Sequence, residues 1–361
     1  MKTKIIAALA LLVCPFLCSA QYHSLDMPQT SPKVIESQRL GITTIAVEYS
    51  SPKVNGREIW GPVVPMNGDP IPWRVGANMN TKIAFSTDVT IEGQPLPAGS
   101  YGLHAIPLKG EWALLFAKND NLWGSYYLDT LNGVALRVKV TPQESVHSEQ
   151  LDFEFKNRTD STLQLAIEWE KISVPFTIEV DLNKTTIEHF RYQLKGATTY
   201  AWEAWDAAAQ WCLNRNTNLE EALSWSQRSI TGGYGGYAAN SNFTNLSTQS
   251  AILWSLDRKK EADEIMKKAI PLMNDAPNDY WVGKRMSDQG RAKMSKLFFD
   301  QMIASFPDVW YVYLGAVRAE YLNGNSKKAL QRLNKTRAMA PANYKEYLDG
   351  LEAKINKGET L

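Results

Sequence analysis

The chain is poor in the residues from which most catalytic and metal sites are built. Its 361 residues hold three cysteines, Cys14, Cys18 and Cys212, and four histidines, His23, His104, His147 and His189, with no metal-ligand spacing between any pair. Neither a metal nor another cofactor is expected. Also missing are a Gly-x-Ser-x-Gly elbow, a Ser-x-x-Lys with its companion motifs, and a His-Glu-x-x-His helix, which removes the common hydrolase signatures. No later apolar run reaches the ~20 residues of a spanning helix, so the chain is not expected to cross a membrane.

The cysteines also report the compartment. Lys2 and Lys4 precede an apolar run from Ile5 to Leu17, and Cys18-Ser19-Ala20 offers small residues at the cleavage positions of a secretory signal peptide. Val13 before Cys14 and Leu17 before Cys18 do not fit a lipoprotein signal. Cleavage after Ala20 leaves Cys212 alone, so no intramolecular disulfide is possible and the protein must be held by its cores. The expectation is an exported protein, periplasmic or extracellular. Its mature charge is close to neutral, which argues against a nucleic-acid partner. Charge is uneven: residues 21–181 carry 13 basic and 19 acidic side chains, and residues 182–361 carry 24 and 19.

The pattern of apolar residues changes at the same place. Before Asp181, short alternating runs are bounded by Gly, Pro, Asn and Asp: Lys33–Leu40, Ile42–Tyr49, Thr81–Ser86, Tyr101–Ile106, Trp112–Ala117, Ala135–Val140, Leu151–Phe155, Leu163–Glu170 and Val174–Val180. In Leu163–Glu170 the odd positions are apolar and Gln164, Ala166, Glu168 and Glu170 form the expected wet face. About nine strands without helices between them predict an all-β sandwich, jelly-roll-like, over residues 21–181. A connecting helix is expected over 182–196, with Ile187, Phe190 and Leu194 one turn apart and Gly196 as its stop.

From 197 to 361 a helical repeat emerges. Gly290, Ser295, Phe299 and Pro307 recur as Gly324, Ala329, Leu333 and Pro341. Ala222 and Ala262 mark two looser units, which gives four tetratricopeptide-like helical hairpins. Such hairpins bury their apolar faces only by stacking, and the array is expected to contact another envelope protein. The glycine cluster Thr231-Gly-Gly-Tyr-Gly-Gly-Tyr237 lacks the lysine of a phosphate loop and reads as an inter-hairpin linker. Trp205, Ala209 and Cys212 share a helical face, which makes Cys212 a buried small apolar residue.

The candidate site lies in Asn55–Thr81. Five prolines and four glycines fall within Pro52–Gly76, so this stretch is neither an ordinary strand nor a helix. It nevertheless carries Arg57, Trp60, Trp73, Arg74 and Asn78. A guanidinium pairs with carboxylate or phosphate and stacks on indole, and an amide both donates and accepts. These residues either bind a small polar or glycan-like ligand or pin a long loop to the sheet. Trp112 and Trp123 either extend a sugar-stacking surface or pack internally. His104, on a strand face with Gly102 and Ile106, is a further candidate; with a nearby carboxylate it would make a hydrolase.

The run SPKV, NGREIWG, VVP and WRVGAN, followed by IAFSTDV, LPAGSYGLHAIP, EWALLF, LWGSYY and LAIEWEKISVPF, resembles the family called "domain of unknown function 2911" over roughly Ser31 to Asp181. The resemblance implies a β-rich domain of an exported Bacteroidota-type protein, with tetratricopeptide-like units following it in longer members and no established activity. Members often carry Glu-Ala after Gly-Ala-Asn, where this chain has Met79 and Asn80. That departure removes a carboxylate and favours recognition over acid–base chemistry. The expected protein is an exported binding or scaffold molecule, with Arg57, Trp60, Trp73, Arg74, Asn78 and His104 as ligand-binding candidates. The alternative is a periplasmic hydrolase using His104.

Overall fold

A computed structural model describes residues 27–66 and 70–361. The expected signal peptide, His23 and residues 67–69 of the Pro/Gly-rich stretch lie outside the described residues. The chain divides into two compact units between Val180 and Asp181.

Among the described residues the first unit contains ten strands: β1 (Lys33–Leu40), β2 (Thr43–Ser50), β3 (Thr81–Phe85), β4 (Val89–Ile91), β5 (Gln94–Leu96), β6 (Gly99–Pro107), β7 (Trp112–Ala117), β8 (Val134–Val140), β9 (Gln143–Lys156) and β10 (Thr162–Glu179). They form two antiparallel sheets, in the orders β1-β2-β3-β6-β7-β8 and β5-β4-β10-β9. The chain passes between sheets at β3–β4, β5–β6 and β8–β9. Alternation places Ile45, Val47, Ile83, Leu103, Leu114 and Phe116 of the larger sheet against Phe153, Leu165 and Phe176 of the smaller one, in one shared core. This is the expected sandwich. Its short β4–β5 hairpin had no alternating signal, because three-residue strands are too brief to show a period.

Strand β10 departs from expectation in two ways. The two expected strands at Leu163–Glu170 and Val174–Val180 are one continuous strand. The pairing of β10 with β9 shifts on both sides of Glu170, whose φ is +54°, so a bulge interrupts the alternation. Glu168 is buried rather than wet, with Lys156 Nζ at 2.5 Å and Ser173 Oγ at 2.6 Å. Glu170 turns to a different neighbour, accepting from Trp60 Nε1 at 3.3 Å. The two carboxylates therefore do not face a common space.

The second unit contains α1 (Leu182–Gln193), α2 (Trp202–Asn214), α3 (Leu219–Thr231), α4 (Phe243–Ser255), α5 (Lys259–Ala269), α6 (Ala276–Asp288), α7 (Ala292–Ser305), α8 (Trp310–Leu322), α9 (Ser326–Met339) and α10 (Lys345–Lys357). Asp181 caps α1, accepting from the Lys184 N–H. The next eight helices pair as four hairpins. Ala222, Ala262, Ser295 and Ala329, on α3, α5, α7 and α9, are all fully buried, since only a small residue lets the crossing helices approach. The turn inside each hairpin uses a left-handed residue: Asn216 and Asn218, Asp257, Gly290 and Gly324. The first two units look degenerate in sequence because Asn and Asp, which tolerate this conformation, replace glycine there. Cys212 is fully buried, and burial pushes its thiol up to about 11, as fits an inert core residue.

Candidate functional site

The six sequence candidates separate into three groups. Arg57 closes the turn Val54–Arg57, donating from Nε to the Val54 carbonyl at 3.1 Å and from Nη2 to that of Lys53. Trp60 and Trp73 turn inward. With Trp112 and Trp169 they form a four-indole cluster, in which Trp73 stacks on Trp169 with centroids 6.0 Å apart and the other contacts are edge-on. Trp73 also joins the sheet, exchanging backbone hydrogen bonds with Ala105 at 2.7 and 2.8 Å. Arg74, Asn78 and His104 are brought together on the opposite, outer side, against the loop 118–133 that links β7 to β8.

The local backbone explains this sorting. Between Trp73 and β3 the chain reverses through Val75 (φ +53°), Gly76 (φ +150°) and Asn78 (φ +58°). A β-branched residue in the left-handed region is strained, and strain of this kind persists only where the surroundings enforce it. Thr81 Oγ1 donates to the Val75 carbonyl at 2.5 Å, and a Cβ at Gly76 would come within 2.9 Å of the Ser50 carbonyl. The reversal places the Asn78 carbonyl where Arg74 Nη1 donates to it at 2.7 Å, while Asn78 Nδ2 donates to Ser50 Oγ at 3.3 Å.

Loop 118–133 is tied to this platform along its length. Met79 and Trp123 pair as an antiparallel bridge. Asn80 is buried and clamps Leu122 from both sides: its N–H donates to the Leu122 carbonyl at 2.9 Å, and its Oδ1 accepts from the Leu122 N–H at 2.7 Å. Lys118 Nζ and the Asp129 carboxylate close the loop's base on the Asn132 carbonyl and on the N–H groups of Leu131 and Asn132. A Cβ at Gly102 would meet the Asn80 amide and come within 2.6 Å of the Asn119 carbonyl, so the loop lies directly on this bare stretch of β6.

His104 sits beneath the loop, fully buried, with Nδ1 2.8 Å from Ser125 Oγ. Its neighbour is thus a serine, not the carboxylate that hydrolysis would call on, and its Nε2 is buried with no hydrogen-bond partner. Burial lowers its pKa to about 4. The outward side of the same loop carries Trp123, Tyr126 and Tyr127, which are 58%, 79% and 79% exposed. Arg74 reaches this rim: a Cβ at Gly124 would lie 3.1 Å from Arg74 Nη1 and 3.0 Å from the Tyr126 ring. Sequence reasoning weighed Trp123 and missed Asn80, Ser125, Tyr126 and Tyr127. The signal was the aromatic run Trp123-Gly-Ser-Tyr-Tyr127 beside turn residues, where a solvated loop carries polar side chains.

Buried titratable groups give the two units opposite responses to acid. His104 has a folded pKa near 4, below that of the unfolded chain, so its contribution is complete above pH ~6.5 and is lost as pH falls through about 4. Asp206, on α2, is buried and its pKa is raised to about 6, chiefly by desolvation. Its contribution is complete below pH ~4 and is lost as pH rises through about 6. Each change amounts to about 3 kcal/mol. Between pH 7 and 4.5, amide exchange corrected for intrinsic rate should show the β-unit loosening and the helical unit tightening. His104→Phe and Asp206→Asn should each flatten the response of its own unit; parallel responses in both variants would contradict this assignment.

A β-sandwich bearing an aromatic rim, followed by four stacked helical hairpins, is the class of molecule that fold and site define. Residues 31–178 match the family described as "Protein of unknown function (DUF2911)". The chain is also similar in structure to MamA from Desulfovibrio magneticus RS-1, with 16% identity over 44% of this chain and 84% of that one, at a TM-score of 0.32. YrrB, described as a TPR protein with an unusual peptide-binding site, is 18% identical over 44% of this chain and 78% of its own, at a TM-score of 0.31. A tetratricopeptide repeat protein from Parabacteroides merdae is 14% identical over 49% and 80%, at a TM-score of 0.23. No curated protein matches the chain. No helix among the described residues is long and apolar enough to cross a membrane.

Proposed function

We propose that this chain is an exported binding protein. Its β-unit captures a small polar ligand of glycan type on the rim formed by Arg74, Trp123, Tyr126 and Tyr127, and its helical array docks an envelope protein. The observation that carries the reading is a loop tethered along its length by hydrogen bonds whose largest side chains stay in water. Leaving three aromatic rings in solvent forgoes burial worth ~1.5–3 kcal/mol each. Pre-ordering them spares a ligand the entropy of organising its own site. Flat indole and phenol faces suit the apolar faces of sugar rings, and the Arg74 guanidinium beside them suits hydroxyl or carboxylate groups. The signal peptide read from residues 1–20 supports the export assignment.

Affinity electrophoresis through gels cast with individual soluble polysaccharides tests the rim. At least one polysaccharide should retard the mature protein, and Trp123→Ala should weaken retardation about tenfold, the equivalent of ~1.4 kcal/mol. The melting temperature should stay unchanged, because Trp123 is more than half exposed. Retardation that survives both Trp123→Ala and Tyr126→Ala would place the ligand elsewhere.

A further inference from the structure

The second helices of the last three hairpins, α5, α7 and α9, concentrate positive charge. They carry four basic and three acidic side chains on α5, two and one on α7, and five and none on α9. The first helices of the hairpins pack on one another, α2 on α4 and α6 on α8. Together those four carry three basic and five acidic side chains, so the excess is confined to the other side of the array. Two ion pairs fix the basic helices side by side: Asp263 of α5 with Arg291 at the start of α7 at 2.7 Å, and Asp300 of α7 with Arg332 of α9 at 2.9 Å. With neighbouring helices about 8–10 Å apart, the three make a face roughly 20 Å across.

We propose that this face docks on an anionic membrane surface, a bilayer whose headgroups carry net phosphate charge. The proposal goes beyond the binding roles assigned above and does not rest on them. Its first support is that the excess is uncompensated. Each acidic side chain of the three helices is held by a cation of the array: Glu261 by Arg258, Asp263 by Arg291 and Glu264 by Lys267, all at 2.7 Å, and Asp300 by Lys296 and Arg332 at 2.5 and 2.9 Å. Lys260, Lys268, Lys293, Lys327, Lys328 and Lys335 remain, all exposed and none in an ion pair among the described residues. This excess has a cost. Lys328, Arg332 and Lys335 follow one another at i+4 and i+3 spacing, where like charges destabilise a helix. Solubility alone is served by interspersed signs.

The kind of cation and its neighbours select the partner. Both arginines of α9 are engaged, Arg332 by Asp300 and Arg337 by Asp349 and Glu352 at 2.8 Å. Only lysines are left, flexible point charges suited to a diffuse anionic field rather than to the fitted carboxylates of a protein. Two leucines stand in water in the same region: Leu297 on α7, 47% exposed, and Leu272, 43% exposed, in the one-turn 3-10 segment Ile270–Leu272 that packs on α7. At a bilayer, leucine enters the acyl boundary while lysine stays with the phosphates. A sugar chain would use exposed rings, but the aromatic residues of the three helices, Phe298 and Phe299, are fully buried.

Flotation of the mature full-length protein with lipid vesicles tests this. Vesicles of phosphatidylcholine mixed with phosphatidylglycerol should carry the protein, vesicles of phosphatidylcholine alone should not, and high salt should weaken the association by screening. A lysine near such a surface strengthens binding about fivefold, so Lys327→Gln combined with Lys328→Gln should weaken it more than tenfold. The melting temperature should not fall, since both side chains are exposed. The same charge change at two exposed lysines of the β-unit, Lys109→Gln with Lys171→Gln, should leave flotation unaltered. An equal loss there would assign the attraction to net charge and overturn the face. Flotation with both kinds of vesicle alike, or with neither, overturns the membrane assignment. In the second case, retardation in gels cast with dextran sulfate or polyglutamate, lost in the Lys327 and Lys328 double variant, would give the face to a soluble polyanion instead.

Discussion

Trp112→Ala should destabilise the β-unit by about 3–5 kcal/mol, the range for deleting a large buried aromatic. Trp112 is fully buried on β7 and touches two other indoles edge-on, Trp60 at 5.4 Å and Trp73 at 6.5 Å. Alanine would leave a cavity that neighbouring rings cannot fill, because each is fixed by its own contact: Trp73 by the backbone bridge to Ala105 and Trp60 by its hydrogen bond to Glu170. Domain stabilities of ~5–15 kcal/mol leave little reserve against such a loss. Trp112→Phe separates volume from polarity. The Trp112 Nε1 has no hydrogen-bond partner, so phenylalanine removes no bond and should cost well under half as much. Amide exchange at β-unit sites as a function of urea measures both variants. Equal losses for alanine and phenylalanine would show that the indole N–H matters, contrary to the geometry.

Gly315→Val should be comparably damaging in the helical unit. Gly315 lies on α8 against the Phe299 ring of α7, and even a Cβ there would fall inside the van der Waals envelope of that ring. Phe299 cannot retreat, because Gly283 on α6 presses from another side: a Cβ at Gly283 would lie 2.6 Å from Phe299 and 2.7 Å from Phe298. The ring thus fits between two glycine surfaces, and it is fully buried. Overpacking typically costs 1–3 kcal/mol, and the clash with a ring that cannot move puts this case at the upper end; valine's better helix propensity than glycine's offsets only a few tenths, so about 3 kcal/mol is expected. Circular dichroism at 222 nm during thermal unfolding reads this unit selectively. A double variant with Phe299→Leu should recover part of the loss, since the smaller side chain vacates the contact; no recovery would mean that Gly315 is needed for another reason.

Much of the architecture could be read from local pattern. Strands long enough for several alternations, such as Lys33–Leu40 and Trp112–Ala117, have the expected ends, because period-2 burial is written into neighbouring residues. The four hairpins were visible through Ala222, Ala262, Ser295 and Ala329, since close crossing demands a small side chain whatever surrounds it. Patterns failed where an event between distant residues decided the outcome. The bulge at Glu170 reassigns the faces of β10, and Glu168 is buried because Lys156 and Ser173 neutralise and solvate it there.

The stretch Asn55–Thr81 shows the division most clearly. Its composition alone marked it as irregular and as carrying Trp and Arg, because Pro and Gly forbid regular structure whatever the tertiary contacts. Composition could not say which way each side chain faces. Left-handed Val75 and Asn78, and a Gly76 pressed on Ser50, turn Trp73 into the core and Arg74 out to the rim. The loop residues that close over this side of the sheet, Trp123, Ser125 and Tyr126, lie more than 40 residues further along the chain. Sequence determined that two units exist, of which kinds, and where the unusual loop falls, since these depend on periodicity and on steric limits local to each residue. Only the tertiary structure decided that Trp60 and Trp73 hold the sandwich while Arg74 serves the surface, because that choice follows from which distant strands and loops close over each side chain.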